Sequence, residues 1–190
     1  MKQTYLLVLA ILSCYACNRH KHSHSEIQRD SAKSMKEHLD HISTATVAFI
    51  TDAAVITEEE INTGKAAIKK ARNFRTKQYA KKAVEDHTNF YNELQSLASQ
   101  TGVTLPAPNT HKGLETLNTD TDFDKAYIKQ SISNHRKLLE RINIASASDE
   151  DSVSTLSMRA LPVMETCLSD ANIVLQDFRK QMNNRDISHN

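Results

Sequence analysis

The sequence predicts an all-α protein built as a bundle of four long helices. Only three glycines and three prolines occur among 190 residues, and an all-β sandwich or barrel needs many more turn-forming residues. Four stretches carry apolar residues at the spacing of an amphipathic helix. Because each helix must bury its apolar face against the others, a four-helix bundle is the simplest arrangement.

The four predicted helices cover residues 44–72, 76–100, 122–147 and 150–182. Gly102 is placed to end the second helix, and Thr121 or Asp122 to cap the third. Pro162 lies inside the fourth helix, where we expect a kink or a break. A further short helix over residues 31–42 would precede the bundle.

The connections between the predicted helices differ in length. Helices one and two join tightly near Asn73, and helices three and four near Ser148. Residues 101–121 separate helices two and three, and they are numerous enough to run the whole length of the bundle, as a ferritin-type crossover does. They could equally fold back beside one end, so the sequence leaves both paths open.

The N-terminus resembles the targeting segment of a bacterial lipoprotein. Lys2 precedes an apolar run over residues 5–12, which is too short to span a bilayer and typical of a signal peptide. The tetrad Ile-Leu-Ser-Cys resembles a lipobox, so we expect residues 1–13 to be removed and Cys14 to be lipidated. Cys17 is the alternative lipidation site, and an ordinary cleaved signal peptide is the alternative to lipidation.

The remaining domain boundaries follow from composition. Residues 14–30 are polar and predict a tether to the membrane, residues 31–182 the bundle, and residues 183–190 a flexible tail. The tether carries His20, His22 and His24, which could hold a metal weakly or simply be solvated. A lipidated protein of this kind would lie in the bacterial cell envelope, at the outer membrane or on the periplasmic side.

One polar residue interrupts the apolar stripe of each helix, and these residues are Glu60, His87, His135 and Cys167. Their distances from the hairpin turns place all four near the middle of the bundle. A buried carboxylate and two imidazoles need partners. They could hydrogen-bond to one another or bind one metal ion, and the mixed ligand set suits zinc or copper. Cys167 could also be a small buried hydrophobe.

Several function classes are disfavoured. Val84 and Ile132 occupy the positions three residues before His87 and His135, so the Glu-x-x-His pairs of di-iron bundles are absent. The sequence has no phosphate-binding glycine loop and no nucleophile elbow. A net charge of +1, no Trp and 5% aromatic residues argue against nucleic-acid binding. The sequence therefore favours a non-enzymatic protein without excluding an enzyme.

A run of cations surrounds the first hairpin turn, and we call it the basic tip: Lys65, Lys69, Lys70, Arg72, Arg75, Lys77, Lys81 and Lys82. This surface could bind anionic lipid headgroups or lipopolysaccharide, or it could be merely solvated. The acidic residues 149–151 would partly neutralise it if the helices alternate up and down. With a crossover they would lie at the opposite end.

The chain also resembles a known family in four strings: FITDAAVITEEEINTGKAA, YAKKAVEDHTNFYNELQSLASQTGVTLP, DFDKAYIKQSISNH and RALPVMETCLSDA. The family is a bacterial envelope family catalogued as domain-of-unknown-function family 4142. The resemblance covers about residues 30–175 and implies a ferritin-like bundle and an envelope location, but no reaction. Its members usually carry His where this chain has Cys167, which implies a softer or altered metal site here.

Together these observations predict an envelope-anchored, ferritin-like lipoprotein with a structural or interaction role. A metal-binding or redox protein that uses Glu60, His87, His135 and Cys167 is the alternative function.

Overall fold

The computed structural model describes residues 42–111, 113, 117 and 122–188 of the chain. Within them lie four helices and no strand: α1 (Thr44–Lys70), α2 (Phe74–Thr101), α3 (Phe123–Ser146) and α4 (Asp151–Ser188). The predicted all-α bundle of four helices is confirmed. The predicted signal peptide, the tether and nearly all of the predicted short helix lie outside the described residues.

Local capping chemistry sets the helix ends. Asn73 precedes α2, and its side-chain oxygen accepts a hydrogen bond from the backbone N–H of Arg75 at 2.8 Å, which satisfies one of the free donors of the first turn. Gly102 ends α2 in the left-handed conformation at φ 69°, as predicted. Asp122 caps α3, which resolves the choice between Thr121 and Asp122.

The turn between α1 and α2 is hydrogen-bonded to a residue at the start of α3. The carboxylate of Asp124, in the first turn of α3, accepts hydrogen bonds from the backbone N–H groups of Arg72 and Asn73, each at 3.0 Å. Helix α1 therefore ends at Lys70, two residues before the predicted end. The same contact shows that α3 starts at the end of the bundle where α2 also starts.

The long connection runs along the bundle. Helix α2 ends at the opposite end from the start of α3, so the chain must return. On the way, the N–H of Asn109 donates to Glu58 at 2.7 Å, and its carbonyl accepts from Asn62 at 2.9 Å. Leu117 then packs in the core with Tyr127. The structure thus selects the full-length path, while membership of the ferritin-like class stays a prediction.

Helix α4 continues through Pro162 without a break. Pro162 is exposed, and its ring removes only the hydrogen bond to the carbonyl of Met158, a residue that is itself 57% exposed. Water can replace that donor, so the helix tolerates the proline. Helix α4 also extends to Ser188, and so includes most of the stretch that was expected to be a flexible tail.

The core consists of two apolar clusters. One contains Phe49, Leu94 and Met164, and the other contains Tyr79, Ile128 and Phe178. Buried polar residues lie between the two clusters along the helices and form a layer near mid-bundle: Thr57, Glu60, Thr63, His87, Ser131, Asn134 and His135. This polar layer contains three of the four predicted site residues. No helix within the described residues is long and apolar enough to cross a membrane.

Candidate metal centre

Three helices each contribute one ligand-type side chain to a common point in the polar layer. Glu60 comes from α1, His87 from α2 and His135 from α3, and each is 0% exposed. One ligand atom from each lies within 4.8 Å of the other two. The two imidazoles meet edge to face, with their Nε2 atoms 3.0 Å apart. The structure therefore brings together three of the four predicted ligands.

The tautomer of His135 follows from its hydrogen bonds. Its Nδ1 lies 2.8 Å from the backbone carbonyl oxygen of Ser131. A carbonyl oxygen only accepts, so we place the His135 proton on Nδ1. The Nε2 atom of the ring then faces His87. This arrangement is the one that metal-ligating histidines adopt, because a hydrogen bond at one nitrogen orients the other toward the ion.

His87 is neutral and incompletely satisfied. Burial, and then the neighbouring His135, lowers the pKa of His87 well below its ordinary value of 6.5. Its Nε2–H can donate to His135, but its Nδ1 is buried and has no hydrogen-bond partner within the described residues. A buried polar atom without a partner is uncommon in native proteins. An uncharged imidazole has no proton to lose before it binds a metal ion through a lone pair.

Glu60 is surrounded by neutral donors. Ser131 Oγ donates to Glu60 Oε2 at 2.6 Å, and Asn134 Nδ2 donates to Oε1 at 2.9 Å. The hydroxyl of Tyr79 donates to Ser131 Oγ at 2.6 Å, and burial, followed by Glu60, raises the pKa of Tyr79 well above 10.0. A carboxylate held out of water is costly unless a cation meets it. No Lys or Arg within the described residues contacts Glu60, and the His135 imidazole lies beside it, with Nδ1 at 3.7 Å from Oε2.

The long connection between α2 and α3, called the crossover below, is hydrogen-bonded to the residues that surround Glu60. Asn134 also donates to Glu59 at 3.0 Å, and Gln130 donates both to Glu59 at 2.8 Å and to the carbonyl of Gly113 at 3.1 Å. These contacts join the connection to the residue that holds Glu60. Ser131 and Asn134 were not predicted from the sequence, although they lie four residues and one residue before His135, on the inward part of α3.

Cys167 lies apart from the other three predicted ligands. Its thiol donates to Asp86 Oδ2 at 3.3 Å, and Lys82 donates to the same oxygen at 2.8 Å. Burial, and then Asp86, raises the pKa of Cys167 from 9.0 to about 12. Successive residues of a helix point about 100° apart, so Cys167 can meet Asp86 on α2 without meeting His87.

The spacing of the two imidazoles fits one ion, and a carboxylate oxygen of Glu60 lies within 4.8 Å of both. Zinc–nitrogen bonds are about 2.0–2.1 Å long, so two nitrogens on one ion at angles of about 90–110° lie about 2.9–3.4 Å apart. The observed Nε2–Nε2 distance is 3.0 Å. Two histidines and a glutamate leave one coordination position open in a four-coordinate site, so the arrangement can bind an ion together with a water or another small ligand.

Fold and site together define a helical-bundle protein with a buried His-His-Glu centre. The chain belongs to the family described as domain of unknown function (DUF4142), which it matches over residues 30–173. The family expected from the sequence strings is therefore confirmed.

A solved structure described as a DUF305 fragment from Deinococcus radiodurans is similar in fold. The TM-score is 0.59 at 9% sequence identity, and the match covers 71% of this chain and 97% of that chain. At this identity the likeness concerns the fold alone. No curated protein matches the chain.

Proposed function

We propose that this protein binds one transition metal ion, zinc or copper, between Glu60, His87 and His135. The observation that carries the proposal is the meeting of these three fully buried side chains at one point. The two side chains that donate hydrogen bonds to Glu60, Ser131 and Asn134, are neutral, and a metal cation would supply the positive charge that they do not. The ligand set differs from the one that the sequence predicted, because Cys167 is paired with Asp86 instead.

The residues around the ligands have defined tasks in this proposal. Ser131 fixes the His135 ring through its backbone carbonyl and orients Glu60 through its hydroxyl. Asn134 holds the other oxygen of Glu60. When both Nε2 atoms bind the ion, the remaining proton of His87 lies on Nδ1. Because no catalytic motif accompanies the centre, we infer that the protein binds or stores the ion rather than turning over a substrate.

Metal titration of the full chain tests the proposal. His20, His22 and His24 are replaced by Ala in every sample, so that the tether cannot contribute. After chelation, Zn²⁺ or Cu²⁺ is added and followed by calorimetry and elemental analysis. We expect one equivalent per chain, together with an increase in unfolding free energy of about 2.7 kcal/mol at a free metal concentration of 100 times Kd.

Near-isosteric variants separate binding from folding. We expect His87→Gln and Glu60→Gln to lose the tight equivalent while keeping the helical circular dichroism of the parent protein. His111→Gln is the matched control, since His111 is exposed in the long connection. Sub-stoichiometric metal, or a melting temperature unchanged by chelation, would contradict the proposal. The copper-loaded protein adds a second readout, because electron paramagnetic resonance should report two nitrogen ligands in the parent chain, and this signal should be absent in His87→Gln.

We propose further that the protein is held at the bacterial cell envelope by a lipid on Cys14, with Cys17 as the alternative. The support is the apolar run followed by the lipobox-like tetrad in the sequence. Cys14→Ser and Cys17→Ser are made separately, and lipid labelling and membrane fractionation are compared with the parent chain. We expect Cys14→Ser to release the protein into the soluble fraction. If neither replacement releases it, the lipoprotein proposal is wrong.

A further inference from the structure

We propose that the basic tip docks onto an anionic lipid membrane surface, with the Phe74 ring inserted among the lipids. This interaction is separate from the metal centre, which lies in the middle of the bundle. Two observations support it: the exposed residues of one hairpin turn, and the distribution of charge along the molecule.

Phe74 is the apolar residue at the apex of this hairpin. Its side chain is 72% exposed, the largest value among the exposed large hydrophobic residues in the described part of the chain. It follows Asn73 directly and begins α2. A single exposed apolar residue needs no explanation by itself. Here, however, Phe74 stands in the sequence between two exposed cations, Arg72 and Arg75, and an exposed aromatic residue next to basic residues is the pairing found where proteins enter a lipid interface.

The surrounding cations are largely available to a partner. Lys65, Lys69, Lys70 and Arg72 are exposed, and none of them forms an ion pair with another described residue. Two members of the tip are paired: Arg75 with Asp177, and Lys82 with Asp86 and Asp170. Asp124, the nearest buried acid, is turned inward onto the backbone of the turn and so stabilises the hairpin rather than neutralising its surface.

The charges of the tip are not those that helix stability favours. Helix α2 has no acidic residue in its first turn, although the N-terminal end of a helix favours negative charge. Arg75 and Lys77 occupy that region instead. The crossover also places residues 149–151 at the opposite end, so they cannot screen the tip. An external anionic surface would supply the missing negative charge.

A lipid surface fits this geometry better than a nucleic acid does. The tip is a convex hairpin with one aromatic ring, whereas a nucleic-acid surface normally presents several stacking rings along a groove. Phospholipid headgroups supply anions in a plane, and the acyl region below them accepts an apolar ring. The structure thus combines, at one point, the two contacts that a membrane interface offers.

Because the chain contains no Trp, Phe74→Trp gives a single fluorescent reporter at the proposed contact. The full chain also carries Cys14→Ser and Cys17→Ser, so that a lipid anchor cannot contribute. We expect a blue shift with vesicles of phosphatidylglycerol and phosphatidylethanolamine, quenching by brominated acyl chains, and reversal in 0.5 M salt as roughly expected from charge screening. Ile144→Trp is the control, because Ile144 is 61% exposed at the opposite end.

Vesicle co-sedimentation provides the second arm. We expect Phe74→Ser and the triple variant Lys69→Gln, Lys70→Gln and Arg72→Gln each to weaken binding at least tenfold. Lys137→Gln, in α3 away from the tip, should leave binding unchanged. Equal binding to phosphatidylcholine vesicles, an equal shift of the Ile144→Trp reporter, or DNA binding unaffected by Phe74→Ser would each overturn the proposal.

Discussion

At the scale of single residues, Gly64 shows how closely α1 and α2 approach each other beside the candidate metal centre. A Cβ atom at this position would lie 2.6 Å from Val84 Cγ2 and 3.6 Å from the backbone oxygen of Ala80. The first distance is far below ordinary van der Waals contact, and valine has little freedom to move aside. The glycine is therefore required by packing, although it lowers helix propensity.

We expect Gly64→Ala to lower the free energy of unfolding by about 1–3 kcal/mol, the usual cost of overpacking. This loss should exceed the gain of about 1 kcal/mol in helix propensity. Urea denaturation measures the difference. In a Val84→Ala background, which removes the clashing methyl, the same substitution should be neutral or stabilising. A Gly64→Ala variant that is more stable than the parent chain would show that α1 and α2 are not in close contact here.

The raised pKa of Cys167 predicts that the free energy of unfolding depends on pH in the alkaline range. Its pKa is raised from 9.0 to about 12 by burial and by Asp86, so the native thiol keeps its proton while the unfolded thiol loses it above pH 9. The unfolded state is then favoured as pH rises, by up to about 1.4 kcal/mol per pH unit. We expect unfolding free energies measured at pH 8, 9 and 10 to fall more steeply for the parent chain than for Cys167→Ala.

Both chains in that comparison carry Cys14→Ser and Cys17→Ser, so that Cys167 is the only thiol. The buried Tyr79 and Tyr127 also have raised pKa values in both chains, because burial and then Glu60 raise them more than Cys167 does. Identical slopes for the two chains would mean that the thiol titrates in the native state as it does when unfolded.

The sequence could identify Glu60, His87 and His135 because each interrupts an apolar stripe at the same height. The sequence could not show that Cys167 lies apart from these three residues. An apolar stripe covers a broad face of a helix, and the direction of the Cys167 side chain depends on the rotation of α4 about its axis. Ser131 and Asn134 were also missed, since small polar residues are common on the exposed side of a helix. Only tertiary packing shows which way they point.

At the scale of whole elements, the positions of the four helices follow from apolar spacing, and their ends from side-chain caps. The path of residues 101–121 could not be predicted, because the length of the connection is compatible with two routes. The choice depends on long-range contacts such as those of Asn109 with α1. The end of α1 at Lys70 likewise depends on Asp124, which is more than 50 residues away in the chain.

Pro162 gives a prediction for α4. The proline lies on the exposed side of a continuous helix, where it removes one backbone hydrogen bond. We expect Pro162→Ala to raise the free energy of unfolding by about 1–3 kcal/mol, in line with the poor helix propensity of proline. Chemical denaturation measures this change. Met158→Ala is the control, one turn away and also exposed, and it should change the free energy of unfolding little. A loss of stability in Pro162→Ala would indicate that the proline contributes to the packing of the bundle.

Gly113 gives a prediction for the crossover. Its φ is +80°, and a Cβ atom would collide with Glu59 Cγ and lie 2.9 Å from Thr63 Cγ2. We expect Gly113→Ala to destabilise the protein by about 1–3 kcal/mol. It should also weaken metal binding, because Glu59 holds the Asn134 side chain that orients Glu60. Thermal denaturation and metal titration measure the two effects.

Gly102→Ala is the matched control for that experiment, since Gly102 also has a positive φ but lies at the far end of α2. It should destabilise the protein without changing the Kd for metal. If Gly113→Ala lowers stability and leaves the Kd unchanged, the crossover does not support the metal centre.

At the scale of the whole molecule, charge is distributed unevenly along the bundle axis. The net charge is only +1, yet the basic tip lies at one end and residues 149–151 at the other, about 40 Å away for a helix the length of α1. The crossover creates this polarity, because an up-and-down bundle would place the two hairpin turns side by side. The sequence fixes the charges, but only the topology separates them.

Replacing Lys77 tests whether the positive charge of the basic tip contributes to binding and not to stability. It lies just after the first turn of α2, where positive charge opposes the helix dipole. We expect Lys77→Glu to raise the free energy of unfolding by about 0.3–1 kcal/mol and, at the same time, to weaken binding to anionic vesicles. Lys137→Glu makes the same change in net charge in the middle of α3, and it should change neither stability nor vesicle binding.

A substitution that raises stability and weakens binding is expected only at a residue whose side chain destabilises the fold and contacts a partner. A Lys77→Glu variant that loses stability, or binds vesicles as the parent chain does, would remove that argument for the tip.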